Sequence, residues 1–446
     1  MSLRTQVILW MVIFVMTVLV RTRSHQLSVG LVLAYLTNLW LIHWPAALSY
    51  LLPFTYKYDE VEVGIGFEQT LYGIAAFCIG SLIVAPVLMR VIDPPRAPRA
   101  GDDRRLPNAT LPYVYIGIGI ASYLVITPLL GRIPTVAAVS VGLQQMMVPG
   151  LCLILWHAWF AKRKRQLAFG MAFALLFPLV TILRQGFLSY GAMALICIVT
   201  FMAAFFRPRW LLAIMLLFVM FAGFSFFVTY MRDRTDIRAT VWGGQRAGAR
   251  VGQLSTTLRD FDWFDPGDAE HWARVNSRLN QNVLVGYAVK NLQDETVDYA
   301  YGKTVVDGVL SLIPRAIWPQ KPQTAGSGTV VTDYTGIKFA RGTSVGVGQV
   351  MEFYINFGTL GVIIGFLLVG AVVTILDTWA AQRIWEGDWL QFAVWYLPGI
   401  ALMQAGGSLI EVFSGAGSAI VAVLFVNRYI VSLRIGPPPE IEPASV

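Results

Sequence analysis

The chain has 446 residues, is 56% apolar and only 13% charged, and has a mean hydropathy of +0.61. Soluble domains carry about 25% charged residues, so a water-soluble globular enzyme is excluded and a polytopic membrane protein is expected. The net charge of +8 sits largely in short basic loops without interleaved aromatic residues, which argues against a nucleic-acid partner.

Apolar runs long enough to cross a bilayer, about 20 residues each, fall at 6–20, 27–54, 63–88, 112–130, 134–160, 166–184, 187–206, 210–230, 346–376, 389–405 and 412–433. The second is expected to be broken at Pro45. The pattern predicts an all-α integral membrane protein of about 11 transmembrane helices. It divides into residues 1–230 with the first eight spans, an outer segment 231–345, and 346–446 with the last three spans and a tail. Residues 6–20 lack a basic leader and a small-residue cleavage site, so they are read as a retained span. Cys78, Cys152 and Cys197 lie inside apolar runs without ligand spacing, so neither a disulfide framework nor a zinc site is expected.

Lysine and arginine concentrate in alternate short loops: Arg21 and Arg23; Arg90, Arg96, Arg99, Arg104 and Arg105; Lys162 to Arg165; Arg207 and Arg209; Arg383; Arg428 and Arg434. The opposite loops hold only Arg4, Lys57, Arg132 and Arg184. The positive-inside rule then puts the C-terminus inside, the N-terminus outside, and 231–345 outside.

The outer segment is the one stretch of ordinary soluble composition. It opens with Arg232, Arg234, Arg238, Arg246, Arg250 and Arg259 against Asp233, Asp236 and Asp260. Its middle, 261–300, is acidic, with a helix expected over Trp272 to Lys290. Residues 303–318 are apolar but too short to span, and are read as an interfacial or re-entrant half-helix. Pro314, Pro319 and Pro322 then make a rigid extended turn that carries Arg315 and Lys321. Tyr334, Lys338 and Arg341 lead into the next span, with Thr343 and Ser344 as helix-start caps.

Gln349, Glu352, Asn356 and Thr359 recur at spacings of three and four, which puts them on one helix face. Glu352 is expected roughly 9 Å along a helix starting near Gly346. A carboxylate at that depth must face a bundle interior or a water-filled cavity. It is either a base or sugar-hydroxyl ligand, or one half of an ion pair that locks the loop. Gly361 and Gly365 form a GxxxG pair suited to close packing. Arg184, at the outer end of a tight hairpin, is either a phosphate clamp or a snorkelling side chain. Glu411 and Glu68 are weaker carboxylate candidates near outer span ends, and His43 and His157 are read as packed interfacial residues.

Tyr301-Gly302, Ile313-Pro314-Arg315, Trp318-Pro319, Lys321-Pro322 and the block Glu352-x-x-x-Asn356-Phe357-Gly358-x-x-Gly361 resemble the Wzy-type polymerases of oligosaccharide repeat units. These include the O-antigen and exopolysaccharide polymerases of bacterial inner membranes. The resemblance implies a GT-C-like glycosyltransferase that joins undecaprenyl-pyrophosphate-linked glycans at the periplasmic face. A sugar hydroxyl would attack the anomeric carbon and undecaprenyl pyrophosphate would leave. On this reading Glu352, Arg315 and Arg341 are catalytic. Arg184, Lys321, Tyr334, Lys338, Gln349, Asn356, Arg232, Arg238 and Glu411 contact substrate. No metal or cofactor is required, and a Wzz-type chain-length co-polymerase is an implied partner. Two other readings stay open: a glycan ligase, which differs only in acceptor, and a lipid-linked-oligosaccharide flippase, which expects charges along a path through the bilayer.

Overall fold

Hydrocarbon offers the backbone no hydrogen-bond partners, so runs this apolar cross a bilayer only as helices or a closed barrel. The computed structural model describes residues 1–23, 27–92, 110–131, 133–205, 209–313, 318, 320, 327–339 and 345–431, and among these every regular element is a helix. In chain order the apolar helices begin with α1 (Leu3–Arg23), α2 (Leu31–Ser49), α3 (Glu60–Ile92), α4 (Leu111–Leu130), α5 (Val139–Phe160), α6 (Lys164–Gln185), α7 (Ser189–Phe205) and α8 (Arg209–Trp242). Five short helices follow: α9 (Ala247–Arg259), α10 (Ala269–Leu279), α11 (Asn282–Gln293), α12 (Lys303–Ser311) and α13 (Ser327–Thr335). The chain closes with α14 (Gln349–Trp385), α15 (Trp389–Leu402) and α16 (Leu409–Val431).

Among the described residues, nine helices are long and apolar enough to span: α1 to α6, α8 over Leu216–Trp242, α14 and α16. The chain is a multi-pass helical membrane protein. Helices α7 and α15, at 17 and 14 residues, coincide with the other two expected spans.

Lipid is as apolar as the side chains it surrounds, so helix association depends on close contact rather than on escape from water. Small residues supply that contact on both sides of α3. A side chain at Gly66 would strike the Asn282 carbonyl of α11, and one at Gly286 would strike the Glu62 carbonyl. Gly80 and Gly370 bring α3 equally close to α14. Aromatic rings fill the space between, as where Tyr35 stacks on Phe77 at 4.7 Å. Cys78, Cys152 and Cys197 are buried and free.

A buried ion pair fastens the end of the bundle opposite the α14 N-terminus. Arg21 donates to Asp377 Oδ2 at 2.7 Å, with the side chains 4% and 0% exposed. Asp377 also accepts from Ser28 Oγ at 2.7 Å and from the backbone N–H groups of Val29 and Leu31 at 3.0 and 2.9 Å. The carboxylate thus sits on the positive end of the α2 dipole and satisfies donors that lipid could not.

Several local expectations change. Pro45 lies inside α2 without breaking it; its lost donor removes one ladder bond, which an otherwise packed helix tolerates. The helix expected over Trp272 to Lys290 is two helices, α10 and α11, separated at Asn280 and Gln281. Helix α8 runs without interruption through residues 230 and 231 and ends at Trp242. The half-helix read at 303–318 is α12, ending at Ser311. Helix α14 starts at Gln349 rather than near Gly346, reaches Trp385, and is interrupted at Phe357 and Gly358.

Helices α9 to α13 have 9 to 13 residues each, too few to cross hydrocarbon. The C-terminal end of α8 and the N-terminal end of α14 therefore open on the same side of the bundle. The connecting helices cap that side: α10 lies on α2, α11 on α3, α12 on α16 and α13 on α11.

Candidate functional site

The interruption in α14 builds the site. Phe357 has φ −145° and Gly358 φ 62°, ψ −153°, a conformation that is essentially reserved for glycine. The first turns, through Asn356, double back along the main helix, so that Phe353 packs on Phe366 with ring centroids 5.7 Å apart. A straight helix would separate those residues by about 20 Å. Gly361 and Gly365 make the fold-back possible: a β-carbon on Gly365 would lie 2.5 Å from the Phe353 ring. The GxxxG pair serves close packing as expected, within one helix rather than between two.

The doubled-back turn needs partners for its free ends. Gln349 N–H donates to Ala405 O at 2.9 Å, its Oε1 accepts from Tyr35 Oη at 2.6 Å, and its Nε2 reaches Gln404 O at 3.3 Å. At the other end, Ala300 N–H donates to Ile355 O at 2.8 Å.

Glu352 lies in the first turn, 2% exposed, shallower along its helix than expected because the helix begins at Gln349. Its Oε2 accepts from the backbone N–H of Leu409 at 2.6 Å. Leu409 opens α16, where Ser408 and Glu411 form a reciprocal capping box. Two carboxylates, Glu352 and Glu411, thus share the positive end of one long helix. The Thr304 hydroxyl of α12 is within reach of the Glu352 carboxylate, and the charges of Glu411 and Asp307 act on it. Asn356 Nδ2 donates to Thr304 Oγ1 at 2.7 Å and to Glu352 O at 2.6 Å. Its buried Oδ1 has no hydrogen-bond partner among the described residues. Acceptors therefore dominate the site, which suits a ligand that brings O–H donors.

Of the residues expected at a site, Gln349, Glu352, Asn356 and Glu411 come together. Thr359 does not share their face, because the break at 357–358 turns the helix before it. Arg315, Lys321 and Arg341, with the caps Thr343 and Ser344, lie outside the described residues; the described N-cap is Gly348. Arg232 is held by Asp233 through contacts of 2.8 and 3.1 Å, so its charge is already matched. Arg184 lies over the Tyr123 ring at 4.3 Å. Arg238 donates to Gly186 O at 3.2 Å, two residues beyond Arg184. Lys338 is exposed. Tyr334 offers its carbonyl to Asn291 Nδ2 at 2.9 Å; burial, then Asp333 and Asp298, push its hydroxyl above the usual range. Glu68 accepts from Tyr72 at 3.1 Å on its own helix.

Thr304, Tyr35 and Gln281 escaped the sequence reading. Gln281 donates to Gly406 O at 3.1 Å and packs against Gly346 and Gly348. None belongs to a local motif with Glu352, and only the tertiary fold joins them. His43 is not interfacial: it is 1% exposed and its Nδ1 lies 2.7 Å from Asn282 Oδ1.

The family described as Domain of unknown function (DUF8712) matches residues 101–411. The chain belongs to this family. The match covers the doubled-back turn of α14 and ends at Glu411, the last residue of the capping box. No curated protein and no solved structure matches the chain.

Proposed function

We propose that this member of the DUF8712 family is a bacterial inner-membrane glycosyltransferase that polymerises undecaprenyl-pyrophosphate-linked oligosaccharide repeat units at the periplasmic face. The observation that carries the reading is Glu352 on the N-terminus of α16, one turn from Asn356, whose Oδ1 has no partner among the described residues. A sugar entering there can donate one hydroxyl to Asn356 Oδ1, which orients the ring, and present a second to Glu352, whose carboxylate can take its proton. The hydroxyl oxygen bonds to the anomeric carbon of the growing chain, the bond from that carbon to the diphosphate oxygen breaks, and the proton passes to Glu352. The leaving diphosphate gathers negative charge, which positioned cations stabilise. Arg315, Lys321, Arg341 and Arg184 are assigned that role. The GT-C-like class rests on the sequence resemblance, and the periplasmic placement on the distribution of basic loops.

The test is glycan length in a deletion strain complemented with wild type or with Glu352→Gln. Wild type restores long chains; Glu352→Gln, present in the membrane at equal level, leaves single repeat units. Long chains from Glu352→Gln would remove Glu352 as the base and move the search to Glu411. Long chains stranded on the lipid carrier in the deletion strain would replace polymerase with ligase.

A further inference from the structure

Tyr230, Arg234, Arg238 and Trp242 recur every four residues along α8, so they line one face of it. Three of the four pin that face to the turn between α6 and α7. Tyr230 Oη and Arg238 Nε both donate to Gly186 O, at 2.7 and 3.2 Å, and Trp242 Nε1 donates to Gln185 O at 3.1 Å. Gly186 holds φ 72°, which presents its carbonyl to α8. The Arg238 guanidinium is stacked over Phe187 at 4.5 Å and over Trp242 at 5.0 Å. Its Nε is spent on Gly186, and among the described residues its terminal nitrogens meet no acceptor.

Arg234 sits between Tyr230 and Arg238 on this face, and α10, which packs against α8, brings Arg278 close enough for its charge to act on it. Loss of hydration and then the Arg238 charge push Arg278 below the usual guanidinium range. Among the described residues, no carboxylate is within ion-pair distance of Arg234, Arg238 or Arg278. Asp233 is engaged by Arg232, and Asp262 by His271 and Arg274; the exposed Asp236, between Arg234 and Arg238 in the chain, forms no ion pair with any of the three among the described residues. Three crowded cations without a counter-charge raise the local potential and repel one another, which a fold tolerates best where an anion completes the set.

We propose that Arg234, Arg238 and Arg278 bind the phosphate group of a membrane lipid. Planar guanidinium forks match phosphate oxygens bidentately. A lipid rather than a free anion is indicated by what lies beside the cations. Arg234 and Arg238 lie within the last three turns of α8, whose stretch Leu216–Trp242 is long and apolar enough to cross a bilayer. Trp242, 61% exposed, is the last residue of that stretch, where aromatic side chains sit at the headgroup level. Arg238 is also a substrate contact on the sequence resemblance, but the phosphate site shares no residue with Glu352 and its hydrogen-bond partners, so either assignment can fail alone.

The experiment is a thermal-shift titration of the full chain in neutral detergent. The probes are dioleoyl phosphatidylglycerol, dioleoyl phosphatidylcholine and sodium pyrophosphate. Phosphatidylglycerol should raise the unfolding temperature of wild type, and phosphatidylcholine should not. The midpoint of that effect should weaken about 10-fold or more in Arg234→Gln/Arg278→Gln and stay unchanged in Arg259→Gln. Without lipid, Arg278→Gln alone should unfold no lower than wild type, because it relieves repulsion. Equal protection of wild type and double variant, or none in wild type, would overturn the site. Protection by pyrophosphate with none by phosphatidylglycerol would overturn the lipid assignment.

Discussion

The backbone N–H of Leu409 donates to Oε2 of Glu352 at 2.6 Å, across 57 residues of chain. The contact fixes a carboxylate on the first turn of α16 and ties the two elements that form the site. Glu352→Gln keeps an acceptor for Leu409, so it should unfold near the wild-type temperature while losing glycan extension. Glu352→Leu leaves the N–H buried and unpaired, at a cost of about 1–3 kcal/mol. Thermal unfolding of both variants in detergent checks the difference; equal losses would mean that the carboxylate charge, not the hydrogen bond, holds the turn.

The fold-back of α14 depends on two glycines for different reasons. Gly358→Ala forces a side chain into a backbone region it avoids, costing about 1–3 kcal/mol. Gly365→Ala drives a methyl group against the Phe353 ring, also about 1–3 kcal/mol. Both should lower stability and activity together. By contrast, Gly64→Ala, where a β-carbon meets nothing within 4 Å, should leave both unchanged. Activity assays on purified variants, with unfolding temperatures alongside, separate the cases.

Asp377 and Arg21 should respond asymmetrically. Losing either leaves a buried charge, at a cost of about 3–5 kcal/mol. Asp377→Ala additionally frees the N–H groups of Val29 and Leu31, so it should be the more damaging. Yield of folded protein after detergent extraction, ranked wild type, Arg21→Met, Asp377→Ala, tests the order.

Asp268 caps α10 by accepting from Glu270 N–H at 2.7 Å, and that hydrogen bond, ahead of the neighbouring charges, holds its carboxyl below the usual range. A depressed folded-state value means that its contribution is complete above the unfolded value of about 3.9. It is lost as pH falls through the folded value. Asp268→Asn retains the cap but has no such proton, so wild type should lose its advantage over Asp268→Ala between pH 5 and pH 2, whereas Asp268→Asn should not. Unfolding temperatures across that range decide it.

Gln349, Glu352 and Asn356 were legible because they are polar groups within a run where lipid forbids them, and spacing alone placed the three on one helix face; Glu411 stood out as a carboxylate at the outer end of the last hairpin. Thr359 was misjudged because periodicity presumes a continuous helix, and the break at Phe357 and Gly358 looks in sequence like an ordinary Asn-Phe-Gly step. Thr304 and Gln281 were invisible: each is a common residue in a polar segment, made significant only by what packs on it. Arg232 carried a neighbouring Asp233 in plain sight, and the structure pairs them. Arg234 and Arg278 drew no special notice, since nothing local says that α8 and α10 bring them together.

Composition and periodicity determined that this chain crosses a membrane as helices, because the cost of exposing backbone polar groups to hydrocarbon leaves no other helical-length solution for such runs. They also determined where most spans begin and end. Only the tertiary structure decided that α14 doubles back, that the N-terminus of α16 receives Glu352, and that three arginines converge with no carboxylate in ion-pair distance among the described residues. Each of these depends on groups separated by tens to hundreds of residues. Hydropathy is a sum over neighbours in sequence, whereas hydrogen bonds and charge pairs act between neighbours in space.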